Sequence, residues 1–293
     1  MLLNIKDSFF TTNLFKYVLL VVYLITSIQP LLAQGNLLIY PKRVVFEGRK
    51  SIEKITLANT GKDTVVYNIS FVEYRMNKKG ELKIISEAED GERFASSNVR
   101  FFPRKVTLAP NEGQTVKVQL RRSSTLDDGE YRSHLYFRAE EDKGALGETS
   151  KVKDSVISVK LKAVFGLSIP CIIRKGTNTT TVSISDLKLI KLNKQFDVLQ
   201  FNLNRNGNMS AYGDFTINYV APNNTVYEVA KMKGVGVYTP GILRNIKIKL
   251  NKPENINFLG GYFNVVFTKN ESEEVLTEES LTLKVKKNSQ EQI

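Results

Sequence analysis

Ala109-Pro110-Asn111-Glu112-Gly113 is followed by Gln114-Thr115-Val116-Lys117-Val118-Gln119-Leu120: a turn cluster, then a clean alternation of apolar and polar residues. Successive side chains of an extended chain point to opposite sides, so Val116, Val118 and Leu120 share one face and Thr115, Lys117 and Gln119 the other. The same pattern recurs outward from this point. Upstream, residues 37–40 and 43–46 form a first strand broken at Pro41, which has no N–H and belongs at an edge or a bend. Residues 52–59 and 64–74 are strands divided by the turn residues Asn59-Thr60-Gly61-Lys62-Asp63. Residues 82–85 return after Asn77-Lys78-Lys79-Gly80. The polar, acidic stretch 86–98 reads as a loop or one helical turn, and residues 99–102 and 105–108 flank Pro103. Downstream, Asp127-Asp128-Gly129 turns into a strand over 130–139. The charged stretch 140–153 reads as a loop, and 155–167 as a further strand. No segment sustains a helical period. Strands without intervening helices predict an antiparallel sandwich.

The second half repeats the style without repeating the sequence. Strands are predicted over 169–174, 180–190, 196–203, 211–219, 226–230, 243–250, 262–268 and 280–285. The turns include Asn206-Gly207, a hairpin signal, and Pro222-Asn223-Asn224. A chain of 293 residues, 42% hydrophobic and 25% charged, has the size and composition for two folded domains. The expected organisation is a sandwich over 34–168, a second over 169–287 and a polar tail over 288–293.

Residues 1–33 differ from the rest. Lys6 and Lys16 precede the apolar stretch 17–28, and Pro30-Leu31-Leu32-Ala33-Gln34 follows. A basic start, a short apolar core and a small residue at its end predict a signal peptide cleaved after Ala33, and hence export. The apolar stretch is shorter than the ~20 residues of a spanning helix.

Several function classes find no support. The single histidine, His134, lies in an alternating strand, so a nucleophile–histidine pair has one candidate base with no evident partner. One histidine and one cysteine, far apart, do not make a zinc site, and no clustered carboxylates have calcium-loop spacing. No glycine-rich loop opens a helix to cradle phosphate. We therefore expect no catalytic residue, no metal, no cofactor and no small-molecule substrate. Cys171 reads as a small buried residue of its strand. The net charge of +12 comes without a nucleic-acid-binding motif, so nucleic acid is not an expected partner.

Three stretches carry a resemblance. Leu38-Ile39-Tyr40-Pro41-Lys42-Arg43-Val44-Val45-Phe46-Glu47-Gly48 has an arginine, then apolar residues, an acidic residue and glycine. Phe102-Pro103-Arg104-Lys105-Val106-Thr107-Leu108-Ala109-Pro110 leads into Gln114 and a basic strand. Glu130-Tyr131-Arg132-Ser133-His134-Leu135-Tyr136-Phe137 is the strand after it. In this order they resemble the periplasmic pilus and fimbrial assembly chaperones, the PapD-like family, over residues 37–173. The resemblance implies an all-β fold of two immunoglobulin-like β-sandwich domains in tandem with a cleft between them. It implies a periplasmic chaperone that binds and stabilises pilus or fimbrial subunits by donating a β-strand and delivers them for assembly, with an outer-membrane usher as the further partner. The mechanism so implied is strand addition: main-chain hydrogen bonds supply affinity and alternate side chains fill pockets. Self-association of the free chaperone is an open alternative.

A donor strand must be long, alternating and exposed at an edge. Period two places Ile157, Val159, Leu161, Ala163 and Phe165 on one face, with Ser158, Lys160 and Lys162 opposite. The same pattern fits an ordinary strand facing its own core, and the resemblance favours the donor. The family holds the client's C-terminal carboxylate with two basic residues. The match gives Arg43 for the first. Alignment on the basic-apolar-basic stretch gives Lys162 for the second, whereas alignment on Pro170 puts Phe165 there. A structural or adhesive cell-surface protein built from immunoglobulin-like domains is the alternative function.

Overall fold

The computed structural model describes residues 37–121, 123–140, 164–192, 196–252 and 256–284. The expected signal peptide, the loop over 141–153, Ile157, Val159, Leu161, Lys162, Ala163 and the polar tail lie outside the described residues.

The first sandwich contains β1 (Leu37–Tyr40), β2 (Val44–Glu47), β3 (Ile52–Asn59), β4 (Val65–Met76), β5 (Leu82–Ile85), β6 (Val99–Phe102), β7 (Lys105–Leu108), β8 (Gly113–Leu120), β9 (Gly129–Ala139) and β10 (Gly166–Lys175). One sheet runs β1-β3-β8-β6. The other runs β2-β10-β9-β4-β5, with β7 also on β4. All pairs are antiparallel except β2 with β10. Two strands change sheets at a proline. β1 passes to β2 through Pro41, and β6 to β7 through Pro103, each after a cis peptide bond. The sequence-predicted breaks at these prolines are thus the points where the chain crosses the core. Val116 and Val118 of the alternating stretch are fully buried between the sheets, beside Ile55, Leu57, Phe46, Leu135 and Phe137. The turn predicted after β3 is locked by Asn59. Its amide donates to the carbonyls of Asp63 and Leu108, and its Oδ1 accepts from the Gly61 N–H.

The second sandwich contains β11 (Thr181–Leu192), β12 (Phe196–Asn206), β13 (Ala211–Val220), β14 (Val226–Val237), β15 (Leu243–Lys249), β16 (Tyr262–Lys269) and β17 (Val275–Thr282). Its sheets run β11-β12-β15 and β14-β13-β16-β17 around Phe201, Phe215, Tyr219, Phe263 and Phe267. The all-β, two-sandwich expectation is met.

Two local expectations are corrected. The expected boundary at 168/169 falls inside β10. Residues 166–175 pair with β9 throughout and with β2 from Cys171 onward, so the change of sandwich comes between Lys175 and Thr181. The strand expected over 155–167 lies outside the described residues up to Ala163, and its described end, Gly166-Leu167, pairs with β9. Asn206-Gly207 does not close a hairpin. β12 and β13 lie in different sheets, and the connection crosses between them. Gly207 takes φ +100°, and a Cβ there would lie 2.5 Å from the Thr179 carbonyl oxygen. The side chain of Arg205 holds the crossing, donating to the carbonyls of Gly207, Met209 and Gly241.

Candidate functional site

β10 is the element on which the site is built. Its C-terminal half has a neighbour on each side: Cys171–Arg174 pair with Val44–Glu47 of β2 and with β9. Its N-terminal half, residues 166–170, pairs among the described residues with β9 alone. Pro170 sits where the second partner stops, a place where a missing N–H breaks no ladder. The apolar row of the strand follows the same division. Ile169, Cys171 and Ile173 are buried, whereas Leu167 is 45% and Phe165 60% exposed. Among the described residues, the row that closes the core at one end therefore runs out to exposed positions beside an edge that no strand covers. Phe165 is still tied to β9, its carbonyl accepting the Ala139 N–H at 3.0 Å.

The opposite face of this sheet meets the second sandwich, and there the strands line up charged residues. Glu130 of β9 is directly opposite Arg174 of β10, which is opposite Glu47 of β2. Arg174 Nε donates to Glu130 at 3.2 Å, and its Nη1 lies 3.8 Å from Glu47. One step along, Arg132 is opposite Ile172. Arg43 immediately precedes β2. The second sandwich offers an aromatic ring to each of these two arginines. Arg43 lies 3.7 Å over the ring of Tyr212, and Arg132 lies 3.5 Å over that of Tyr238. Glu130 reaches across as well: the Ser210 N–H donates to it at 3.1 Å, and the Ser210 hydroxyl donates to its other oxygen. The Arg205-held crossing between β12 and β13 is what delivers Ser210 there. A second contact is made by the β4–β5 loop, where the Asn245 N–H donates to the Lys78 carbonyl at 2.7 Å.

Three guanidinium groups thus gather at the junction against two carboxylates. Burial pushes Arg132 below the ordinary arginine range; Tyr238 and Glu130 counter this, while Arg43 and Arg174 add to it. Its Nε is buried without a hydrogen-bond partner among the described residues. Arg43 is half-buried and, among the described residues, meets no carboxylate. A planar guanidinium fork with free donors suits a carboxylate, which it can bind through two parallel hydrogen bonds.

No known family model matches the chain, and no curated protein sequence matches it. Solved structures do. The YadV chaperone is 12% identical at a TM-score of 0.44, covering 85% of this chain and 100% of its own. CfaA, a class 5 fimbriae chaperone, is 16% identical at 0.43, covering 85% and 99%. The Salmonella enterica SafA pilin in complex with the SafB chaperone gives 10% identity at 0.40, covering 85% and 97%. The structural likeness is to pilus and fimbrial chaperones. These are likenesses of chain architecture at low identity, and the junction residues are read from their own contacts.

Of the sequence-predicted site residues, Arg43 lies in the junction and Phe165 at the open end of β10. The remaining four donor positions and Lys162 lie outside the described residues. Arg132, Glu130 and Arg174 escaped sequence reasoning. Their one signal was charge within a strand, since Glu130 and Arg132 alternate with Tyr131 and Ser133 in a segment buried on both faces. His134 is 5% exposed, edge-on to Tyr74, with its Nδ1 unpartnered among the described residues, and burial lowers its pKa to about 3. Cys171 is the buried residue its strand position suggested, its thiol pushed up to about 12 by burial.

Proposed function

We propose that the protein is a periplasmic chaperone for pilus or fimbrial subunits. It lends a client the open edge of β10 and holds the client's C-terminal carboxylate at the junction. A subunit lacking its last strand exposes apolar core and unpaired backbone groups, and an added strand satisfies both. The observation that carries this reading is the half-paired β10, with Phe165 and Leu167 exposed at its open edge and the arginine cluster at its closed end. The donor residues are Phe165 and, before it, Ile157, Val159, Leu161 and Ala163. Arg43 is the first carboxylate anchor. Arg132 is the second in this reading, in the role that alignment offered to Lys162, and its position in the junction over the Tyr238 ring supports it. Binding of this kind calls for no catalytic group and no cofactor. The client is then passed to an outer-membrane usher.

The test is capture of partners by the tagged, exported protein in its own host, beside Arg43→Ala and Arg132→Ala variants. A small β-rich subunit with an apolar C-terminal strand is expected with wild type and lost from both variants. Retention of the subunit by the variants would remove the anchor assignment. Recovery in the outer-membrane fraction with no client would favour the structural surface protein.

A further inference from the structure

The sheet β1-β3-β8-β6 turns one face to the core and the other to solvent, and the solvent face has an unusual composition. Its register places side chains in rows: Tyr40 opposite Thr56 opposite Thr115, then Lys54 opposite Lys117 opposite Phe102, then Ile52 opposite Gln119 opposite Arg100. Leu38 stands beside Ala58 at the end of the face. Except for Ala58, all of these residues are exposed, Phe102 at 77% and Tyr40 at 73%. None carries a carboxylate, and among the described residues no ion pair reaches Lys54, Lys117 or Arg100. Two lysines directly opposite each other on neighbouring strands repel, so this face is built against its own stability unless an anion meets it.

We propose that this face docks on an anionic phospholipid surface. The layout favours lipid over a protein partner. Protein interfaces place apolar residues at the centre, poor in lysine, with a polar rim. Here the lysine pair is central and Leu38, Tyr40, Phe102 and Ile52 stand at the margins. Central cations suit headgroup phosphates, and marginal rings and aliphatic groups suit the boundary between headgroups and acyl chains. The face lies on the sheet that does not contain β10, so docking leaves the open strand edge free.

The experiment is flotation of the full chain with vesicles of phosphatidylethanolamine plus phosphatidylglycerol, and with phosphatidylcholine alone. The wild type is compared with a Lys54→Gln, Lys117→Gln, Arg100→Gln triple variant and with Phe102→Ser. All share residues 1–36, so any contribution from that segment cancels. Flotation with the anionic vesicles alone is expected, weakening with salt. Each cation removed should lower the partition constant by about fivefold. Phe102→Ser should weaken it further at constant charge. The triple variant should melt no lower than wild type, because it removes a repulsive pair. Equal flotation of wild type and triple variant, equal binding to neutral vesicles, or no binding at all would each overturn the proposal. So would loss of an acidic protein partner from the triple variant with vesicle binding intact.

Discussion

The carboxylate of Glu130 in the first sandwich is bonded to Ser210 in the second, accepting the backbone N–H at 3.1 Å and the hydroxyl. The Ser210 oxygen in turn accepts the Thr239 N–H at 3.0 Å, and Glu130 also accepts from Arg174. The Glu130 side chain has no exposure to solvent. One carboxylate therefore pairs with both Arg174 and Arg132 and fastens the two sandwiches together.

Removing that carboxylate leaves Arg174 and Arg132 facing each other in a nearly dry junction. Breaking a buried pair from one side costs about 3–5 kcal/mol, so Glu130→Ala should lower the unfolding free energy measured in urea by that amount. Ser210→Ala should cost about 1 kcal/mol. The double variant should be less damaging than the sum, because both changes remove the same bonds.

The Arg132 Nε, without a hydrogen-bond partner among the described residues although Nη1 lies 3.8 Å from Glu130, and the Arg43 guanidinium, which meets no carboxylate among them, predict a preference for a free carboxylate. A peptide matching a client's last strand should bind more tightly as the acid than as its C-terminal amide, by about tenfold or more for a charge-assisted bond. Calorimetric titration should show that preference abolished in Arg43→Ala and Arg132→Ala. In Tyr238→Leu it should be reduced, since that change removes only the ring packed on Arg132.

Exposed apolar residues at the open end of β10 give little to the free fold. Phe165→Ser and Leu167→Ser should shift stability by no more than about 0.5 kcal/mol, the range of ordinary surface changes. Client capture should nevertheless fall sharply. A large loss of melting temperature would instead place these residues in the protein's own core.

His134 predicts acid sensitivity. Its folded pKa of about 3 lies below the ordinary 6.5, so the unfolded chain takes up the proton first. Its contribution is complete above about pH 6.5 and is lost as pH falls from there towards 3. Glu73 acts oppositely. Burial raises its pKa, so its contribution is greatest below the ordinary carboxylate range and declines as pH rises through the folded value. Denaturation curves across this window should show a shallower acid loss in His134→Phe and a steeper one in Glu73→Gln.

The Cys171 thiol, fully buried and shifted to about 12, should not react with Ellman's reagent in the native protein at neutral pH, and should react fully in urea.

The sequence by itself determined the all-β class and much of the alternation in the first sandwich. Alternation at Val116 and Val118, the proline breaks at Pro41 and Pro103 and the Asn59 turn are short-range signals, and each marks a feature that the tertiary structure keeps. It also singled out Arg43, because a resemblance in the first strand pointed there. Which strand ends lie open, and which charges meet, are long-range matters. Asn206-Gly207 satisfies the local chemistry of a hairpin, yet the chain uses it to change sheets, because burial of Met209 and the carbonyls gathered by Arg205 outweigh a two-residue turn. β10 joins the first sandwich through pairing with β9 and β2, which no composition shift marks. Glu130, Arg132 and Ser210 are separated by up to 80 positions and become a site only when two sandwiches press their faces together. Local periodicity can be read from a list of residues; the desolvation of a strand arginine such as Arg132 exists only once the two sandwiches exclude water between them.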